Sequence, residues 1–315
     1  MSVIRSIVGR AKKLPRGYSK IGDDIAVVPT KAGSLVLKVD MLVEHTDMPV
    51  GMNYRQAARK AVAMCVSDFA AKGASPDSFV VSIGLKKGVS QGQVGALAAG
   101  FRDAEEEWDV LLVGGDTNEA KELVIDCAMV GFARHLVARS GAAPGDVLVV
   151  TGHFGYPPAG LRILEGSATA TAEFGREARA SVLDPTPSLK VGRALAPFLT
   201  SAMDSSDGLA RSLYTLAAES KVGFEVTELP AAKGVRSFAE ANGLSAEELV
   251  FQGGEEYAIV GTIPRRQVPG ARTAVRRAGG VLLEIGKTTP EPREVVLSSG
   301  RTRRLIRDAG WTHLR

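Results

Sequence analysis

Apolar residues return at two different periods along this chain, and the two alternate. Behind Asn53, residues Ala58, Ala61, Val62, Cys65 and Phe69 recur every three or four positions, the spacing of a helix with one buried face. Asn53 is a good cap for that helix, and Gly73 a good stop just after Lys72. A second helix is predicted from Ser90 to about Trp108, with Glu105, Glu106 and Glu107 as a solvated end. Short β-rich runs surround these helices at residues 25–29, 34–40, 78–85, 110–113 and 123–133. Strands interleaved with long amphipathic helices predict an α/β (α+β) layer rather than a helical bundle.

The turn-rich segment Ser140-Gly141-Ala142-Ala143-Pro144-Gly145-Asp146 then interrupts the pattern. We place a domain boundary just before it, giving an N-terminal domain at 1–137 and a C-terminal α/β domain at 138–315. The alternation resumes with strands at 147–151, 201–203, 224–226 and 257–263 and helices at 189–199, 209–220 and 271–278. Residues 166–187 carry Gly, Ala, Thr and two prolines and read as a loop with at most a short helix. No short-period repeat is present.

Composition adds little against this picture. A chain of 315 residues, 45% apolar and 23% charged, is long enough for two cores and is that of an ordinary globular protein. Cys65 and Cys127 sit in apolar stretches and read as buried small side chains, supplying neither a disulfide framework nor a zinc site. His45, His135, His153 and His313 lack metal-binding spacing. The formal charge of +4 is spread along the chain. Its densest basic stretch, Arg301, Arg303, Arg304 and Arg307, has no interleaved aromatics and reads as a solvated edge, so no nucleic-acid partner is expected. No run reaches the ~18 apolar residues of a membrane span, and residues 1–17 lack the apolar core of a signal peptide. A cytoplasmic location follows as an expectation.

The chemistry lies in the aspartates, which gather where apolar runs end. They occupy Gly22-Asp23-Asp24, Lys38-Val39-Asp40, Val66-Ser67-Asp68, Gly114-Gly115-Asp116 and Met203-Asp204-Ser205-Ser206-Asp207. Read alone, Asp23-Asp24 is a turn that follows glycine. Asp68 is different: it stands within an apolar helix, where an unpaired carboxylate would cost several kcal/mol, so it must meet a cation or donors. Gly114 and Gly115 would let backbone approach a phosphate while Asp116 reaches a metal. Asp204 to Gly208 opens a helix; capping needs one such residue, whereas four polar groups stand there, and a helix N-terminus suits phosphate. Gly253-Gly254-Glu255-Glu256 precedes a strand in the same manner. Hard oxygen ligands from several segments predict one shared Mg²⁺ site serving phosphoryl transfer. The stretch from Gly280 to Thr288 imitates a P-loop, but five residues separate its glycines and Val-Leu-Leu-Glu-Ile reads as a strand.

Taken in order, Gly22-Asp23-Asp24-Ile25-Ala26, Asp40-Met41-Leu42-Val43-Glu44, Ser67-Asp68-Phe69-Ala70-Ala71-Lys72-Gly73-Ala74, Gly114-Gly115-Asp116-Thr117, the Arg139 to Asp146 segment, Met203-Asp204-Ser205-Ser206-Asp207-Gly208-Leu209 and Gly253-Gly254-Glu255-Glu256-Tyr257 resemble thiamine-monophosphate kinase. Several of these segments are shared with the wider aminoimidazole ribonucleotide synthetase superfamily. The resemblance runs from about residue 20 to the C-terminus. It implies a two-domain fold of that superfamily, with an N-terminal domain that binds ATP and metal and dimerises through its sheet. It implies ATP-dependent phosphorylation of thiamine phosphate by direct transfer with several Mg²⁺ ions, the small-molecule substrates being the partners besides a second subunit. By the same resemblance Asp24, Asp40, Asp68, Asp116, Asp204 and Asp207 fall on metal ligands, with Asp116 and Asp207 catalytic. Gly115, Asp116, Arg139 and Ser206 fall on ATP contacts, and Asp47, Glu255 and Trp311 on substrate contacts. A stacked tryptophan suits the cationic thiazolium, although a tail aromatic can equally pack on the core.

The chain departs from that pattern in places. Lys38-Val39 stands where many relatives have Ser-Thr, which changes the ligand set, and Lys38 is an alternative phosphate contact. Asp47 or His45 stands in for a substrate-contacting histidine, and Glu256 for an aspartate. A selenophosphate synthetase would carry a reactive residue before Cys65, and a hydrogenase-maturation relative would end in cysteine; neither pattern is met. Other readings are an ATP-using relative with a different acceptor, or a nucleotide-binding protein without turnover.

Overall fold

Alternating burial builds the first half around one sheet. In this computed structural model, which describes residues 14–19, 21–31, 33–300 and 302–311, β1 (Ala26–Thr30) pairs antiparallel with β2 (Gly33–Val43). The sequence readings that involve residues 1–13, Arg301 and His313 lie outside the described residues. Along β2, Val36 and Leu42 are buried, while Val39 and Met41 on the other face are 58% and 54% exposed. A single turn, α1 (Glu44–Asp47), precedes α2 (Tyr54–Ala71). The helix starts where expected: the Asn53 side chain accepts from Gln56 N at 3.0 Å, and the Gln56 side chain accepts from Asn53 N at 3.2 Å. The elements β3 (Ser75–Lys86), α3 (Gln91–Trp108), β4 (Leu111–Ala120) and β5 (Val124–Phe132) complete the half. Strand order is β1-β2-β5-β3-β4, with β3 and β4 parallel across the α3 crossover and the other pairs antiparallel.

The second half runs β6 (Val147–Val150), α4 (Tyr156–Leu164), α5 (Ala172–Leu183), α6 (Leu189–Leu195), β7 (Ser201–Asp204), α7 (Leu209–Ser220), β8 (Gly223–Val226), α8 (Val235–Ala241), α9 (Ala246–Gln252), β9 (Ile259–Ile263), α10 (Val268–Arg277), β10 (Leu283–Thr289), β11 (Val295–Ser299) and β12 (Thr302–Leu305). Its sheet has the order β12-β11-β8-β10-β6-β9-β7. From Leu283 on, the Gly280 to Thr288 stretch is strand β10, paired with β6 and β8, so the P-loop imitation is rejected by its backbone.

Several boundaries differ from the sequence expectation. Residues 166–187 hold the full helix α5 instead of a loop, because Ala178 and Val182 face the core four residues apart and Thr171 caps the first turn. Strand β4 does not stop at Val113 but continues through Gly114, Gly115 and Asp116 to Ala120, zipped in parallel to β3. The predicted helix 189–199 breaks at Ala196, where Pro197 opens a tighter turn. Helices α4, α8 and α9 and strands β11 and β12 were not anticipated; the helices are short, and their pattern is hard to tell from loop.

Helix α2 is the keystone. It packs on β2 and β5 on one side and on α6 and β7 of the second half on the other. Val62, Cys65, Val66 and Phe69 on it are wholly buried. Burying each large one is worth about 1.5–3 kcal/mol. Yet Lys60 and Lys72 on the same helix are only 1% exposed, and Asp68 is buried as well. Both cysteines are buried and free, and Cys65 donates to the Cys127 carbonyl at 3.3 Å. No helix among the described residues is long and apolar enough to cross a membrane.

Candidate active site

The charges buried on α2 meet partners from both halves. Lys72 Nζ lies 2.6 Å from Asp23 and 2.8 Å from Asp24, and donates to the Ala202 carbonyl at 2.6 Å. Arg139, in the link between the sheets, closes on Asp24 from the other side through Nε at 2.7 Å and through Nη2, and donates from Nη1 to the Gly22 carbonyl at 2.6 Å. Asp204 ends β7 and accepts from Ser67 Oγ on α2 at 2.8 Å. Lys38, projecting from β2, sits 2.5 Å from Asp68 and 3.1 Å from Asp40.

The outcome is a triad. One carboxylate oxygen each from Asp24, Asp68 and Asp204 lie within 4.8 Å of one another, all three residues buried. Electrostatics follow from that crowding. Burial, then repulsion from Asp204, pushes the Asp68 carboxyl well above the ordinary range. Burial and the neighbouring Asp24 push Asp204 up to about 6. Burial also works against ionised Asp24, but Lys72 and Arg139 outweigh it and hold this carboxyl below its usual value. Asp24 Oδ2 lies near Lys72 Nζ but receives no aligned hydrogen bond, and the buried Oγ of Ser205, the residue after Asp204, has no hydrogen-bond partner among the described residues. Around this point stand Asp23, Asp24, Asp40, Asp68 and Asp204 against Lys38, Lys72 and Arg139, five carboxylates to three cations, a formal −2. All-oxygen donors with that surplus suit one divalent hard cation.

A second arm of the site comes from the loop before β9. Glu255 and Tyr257 adopt φ of 62° and 50°, a left-handed backbone that non-glycine residues enter at a cost. Backbone bonds from Glu255 N to Ser206 O at 2.7 Å and from Tyr257 N to Ser205 O at 3.0 Å hold them there. Gly254 is needed for this closeness, since a Cβ at that position would lie 2.5 Å from Ser206 O. Glu255 pairs with Lys60 Nζ at 2.5 Å, and Lys60 also donates to the Asp47 carbonyl at 2.8 Å. Two residues predicted to touch the acceptor are thereby joined by a buried lysine that the sequence reading missed. The Asp47 carboxylate itself accepts from Val43 N and Thr46 Oγ1. His45 turns to Glu122, at 2.7 Å. A cavity of about 330 Å³ opens beside the loop, lined by His153, Tyr156, Glu177, Asp184, Glu255 and Glu256. Glu256 is buried, accepts from Gly155 N, and is pushed well above the usual carboxyl range by that burial.

The polar run before α7 is not a capping device. Gly208 is the N-cap, with no side-chain cap bond, which leaves Ser205, Ser206 and Asp207 for other work. Trp311 N donates to the Asp207 carbonyl at 3.0 Å, which brings the exposed tail tryptophan to the same corner.

Asp116 is placed elsewhere. It is exposed on edge strand β4, opposite Ser82, which in turn faces Asp126 on β5. With strands about 4.8 Å apart, β4 lies roughly 14 Å across the sheet from Asp40 on β2. One chain therefore does not bring Asp116 to the triad. Gly115 has a packing reason of its own, because a Cβ there would lie 2.3 Å from the Val81 carbonyl. The basic edge is solvated as expected, with Arg303 paired to Glu294 at 3.1 Å and Arg304 to Glu247.

Comparison with known proteins accords with this architecture. The family model described as AIR synthase related protein, N-terminal domain, matches residues 22–133, and that described as AIR synthase related protein, C-terminal domain, matches residues 143–298. A thiamine-monophosphate kinase of Nitrosopumilus maritimus is 37% identical over 94% of both chains. That of Halobacterium salinarum is 35% identical over 94% of this chain and 95% of its own. Among solved structures, a ThiL protein complexed with AMPPCP and TMP superimposes with a TM-score of 0.85 at 25% identity, covering 99% of this chain and 94% of that one. With both halves matched in order and the likeness extending over nearly the whole length, the chain belongs to the thiamine-monophosphate kinase family, within the AIR synthase related proteins.

Proposed function

We propose that this protein transfers the γ-phosphoryl group of ATP to thiamine phosphate, giving thiamine diphosphate by direct in-line transfer. The observation that carries the reading is the convergence of Asp24, Asp68 and Asp204 from three distant segments and both halves onto one buried point. The donor chemistry fits Mg²⁺: all oxygen, a net −2, and in Asp24 Oδ2 and Ser205 Oγ two buried oxygens without an aligned partner. Mg²⁺ ions, one held there by Asp24, Asp68 and Asp204 and others with Asp40, Asp207 and, from a second copy, Asp116 as ligands, would supply charge neutralisation between two phosphorylated substrates.

The chain's own groups do the rest. Arg139 and Lys72 hold Asp24 ionised and oriented at neutral pH. The uncapped first turn of α7 behind Ser206 offers backbone N–H groups to an anion, and with Gly115, Asp116 and Arg139 it forms the ATP side. Lys60 fixes Glu255 against Asp47 on the acceptor side, and Trp311 offers a face to the thiazolium ring. Asp207 and Asp116 are the acidic groups assigned to the transfer itself.

Asp116 serves the site of a second copy in this proposal. It lies across the sheet from its own triad, and the sheet face beside it exposes Val39, Met41, Val80 and Phe132, an apolar surface of the kind that dimers cover. The same proposal divides the chain into 1–137 for ATP, metal and dimer contacts and 138–315 for the remainder, and sets it in the cytoplasm with its two small-molecule substrates.

The test is a coupled assay of ADP release with Mg²⁺, offering thiamine phosphate, thiamine and substrates of aminoimidazole chemistry in turn. Turnover with thiamine phosphate alone supports the reading. Turnover only with another acceptor, or with none of them, overturns it.

A further inference from the structure

Lys38 occupies a place that its position in a strand does not require. Lys38 shares the inward face of β2 with Val36 and Leu42, where a lysine would ordinarily be costly, and its side chain is only 17% exposed, with the ammonium wedged between Asp68 at 2.5 Å and Asp40 at 3.1 Å. Both carboxylates lie within ion-pairing distance of that one nitrogen. The ammonium is thus a fixed positive charge inside the acidic cluster.

Two carboxylates that each approach one nitrogen this closely leave no room for an ion between them. A Mg²⁺ ion needs oxygens at about 2.0–2.1 Å, so a metal bridging Asp40 and Asp68 would have to take the space that Lys38 Nζ fills. The charge count says the same. With Lys38 five carboxyl groups face three cations; without it the same five would face two, which leaves more room for a second divalent ion.

We propose that Lys38 is a built-in cation standing in for a divalent ion between Asp40 and Asp68, so that in the absence of nucleotide each chain retains a single divalent site, at Asp24, Asp68 and Asp204. The inference rests on the metal reading proposed above and narrows it. Ions that enter with ATP are outside it, as is Asp40 acting through its face away from Lys38. Lys38 is a positioning residue here: it orders two carboxylates before any substrate arrives, at a fixed charge and without a dissociation constant.

The experiment measures Mn²⁺ binding to nucleotide-free protein by the electron paramagnetic resonance of free Mn²⁺, at neutral pH. The variants are Lys38→Ser, Lys38→Met and Lys38→Arg, with Asp204→Asn as control. Wild type and Lys38→Arg are expected to bind one ion per chain, and Lys38→Ser two. Lys38→Met, which cannot offer an oxygen ligand but vacates the charge, should bind a second ion more weakly than Lys38→Ser does. If Lys38→Ser folds only with metal present, its melting temperature should rise with Mn²⁺ over two saturating phases where wild type shows one. Equal stoichiometry in wild type, Lys38→Ser and Lys38→Met overturns the role of Lys38 while leaving the metal site in place. A wild type that binds no Mn²⁺, or binds it as well after Asp204→Asn, overturns the metal reading itself.

Discussion

Replacing Asp204 by asparagine should make the metal-free protein more stable while abolishing its use of metal. Asp204 is wholly buried beside Asp24 and Asp68, and its carboxyl is pushed up to about 6 from an ordinary value of 3.8. A displacement of about two pKa units corresponds to roughly 3 kcal/mol of folding free energy forfeited when the group ionises. The sign follows from linkage. Because the folded-state value is raised, the contribution of Asp204 is fully present below pH 4 and lost as pH rises through about 6. Asparagine keeps the shape and can still accept from Ser67 Oγ, but it carries no charge to lose. After allowing for imperfect amide placement, we expect a gain of about 2 kcal/mol at pH 8, roughly 4 °C in melting temperature for a chain of this size. The assay is thermal unfolding in a chelating buffer at pH 4.5 and pH 8, repeated with millimolar Mg²⁺. The variant should gain about three times as much at pH 8 as at pH 4.5, and added Mg²⁺ should reverse the ranking by stabilising wild type alone. A variant that melts below wild type by the same margin at both pH values would show that packing, not crowded charge, governs this position, and the reasoning would fail.

Other consequences are open to similar measurement. Lys72→Met removes the buried cation that contacts both Asp23 and Asp24 and should cost about 3–5 kcal/mol in denaturant unfolding; a loss under about 1 kcal/mol would mean that Arg139 suffices alone. Wild-type stability should fall as pH rises through the raised titration of buried Glu256, and Glu256→Gln should flatten that fall while matching wild type below the ordinary value of 4.5. Trp311→Ala should raise KM for thiamine phosphate about 3- to 30-fold with KM for ATP unchanged and Trp311→Phe close to wild type; a shift in both constants would point to a structural tail contact. Asp116→Asn and Asp207→Asn should each lower turnover by orders of magnitude without moving the melting temperature. Co-expressed Asp116→Asn and Asp204→Asn chains should regain roughly a quarter of the wild-type rate through mixed dimers with one intact site, and no recovery would rule out a shared site.

Much of this was legible before the structure, for reasons that differ by residue. Asp68 stood out because a carboxylate on an apolar helix face demands an explanation, and α2 itself was readable from its caps and its three-or-four spacing. Lys60 and Lys72 broke the same rule on the same helix but were passed over, since lysines near helix ends usually snorkel to water. Their spacing of eight and four residues from Asp68 was the available signal. Helix α5 was hidden by its glycine and threonines, because capping by Thr171 and burial against α4 outweigh local propensity. The place of Asp116 could not be read at all. Strand order is a long-range property, and nothing in Gly114-Gly115-Asp116 reveals that β5 and β3 lie between it and β2.

Helix α2 also bears on how this enzyme can be re-engineered. Its two flanks are inlaid in different sheets, and its lysines reach carboxyl and carbonyl groups on both, so the visible joint near residue 138 is a poor crossover for recombination. A chimera joined there would inherit a helix fitted to one parent on its first flank and to a stranger on its second. Productive hybrids should carry α6 and β7 along with α2, treating that noncontiguous block as the true heritable unit.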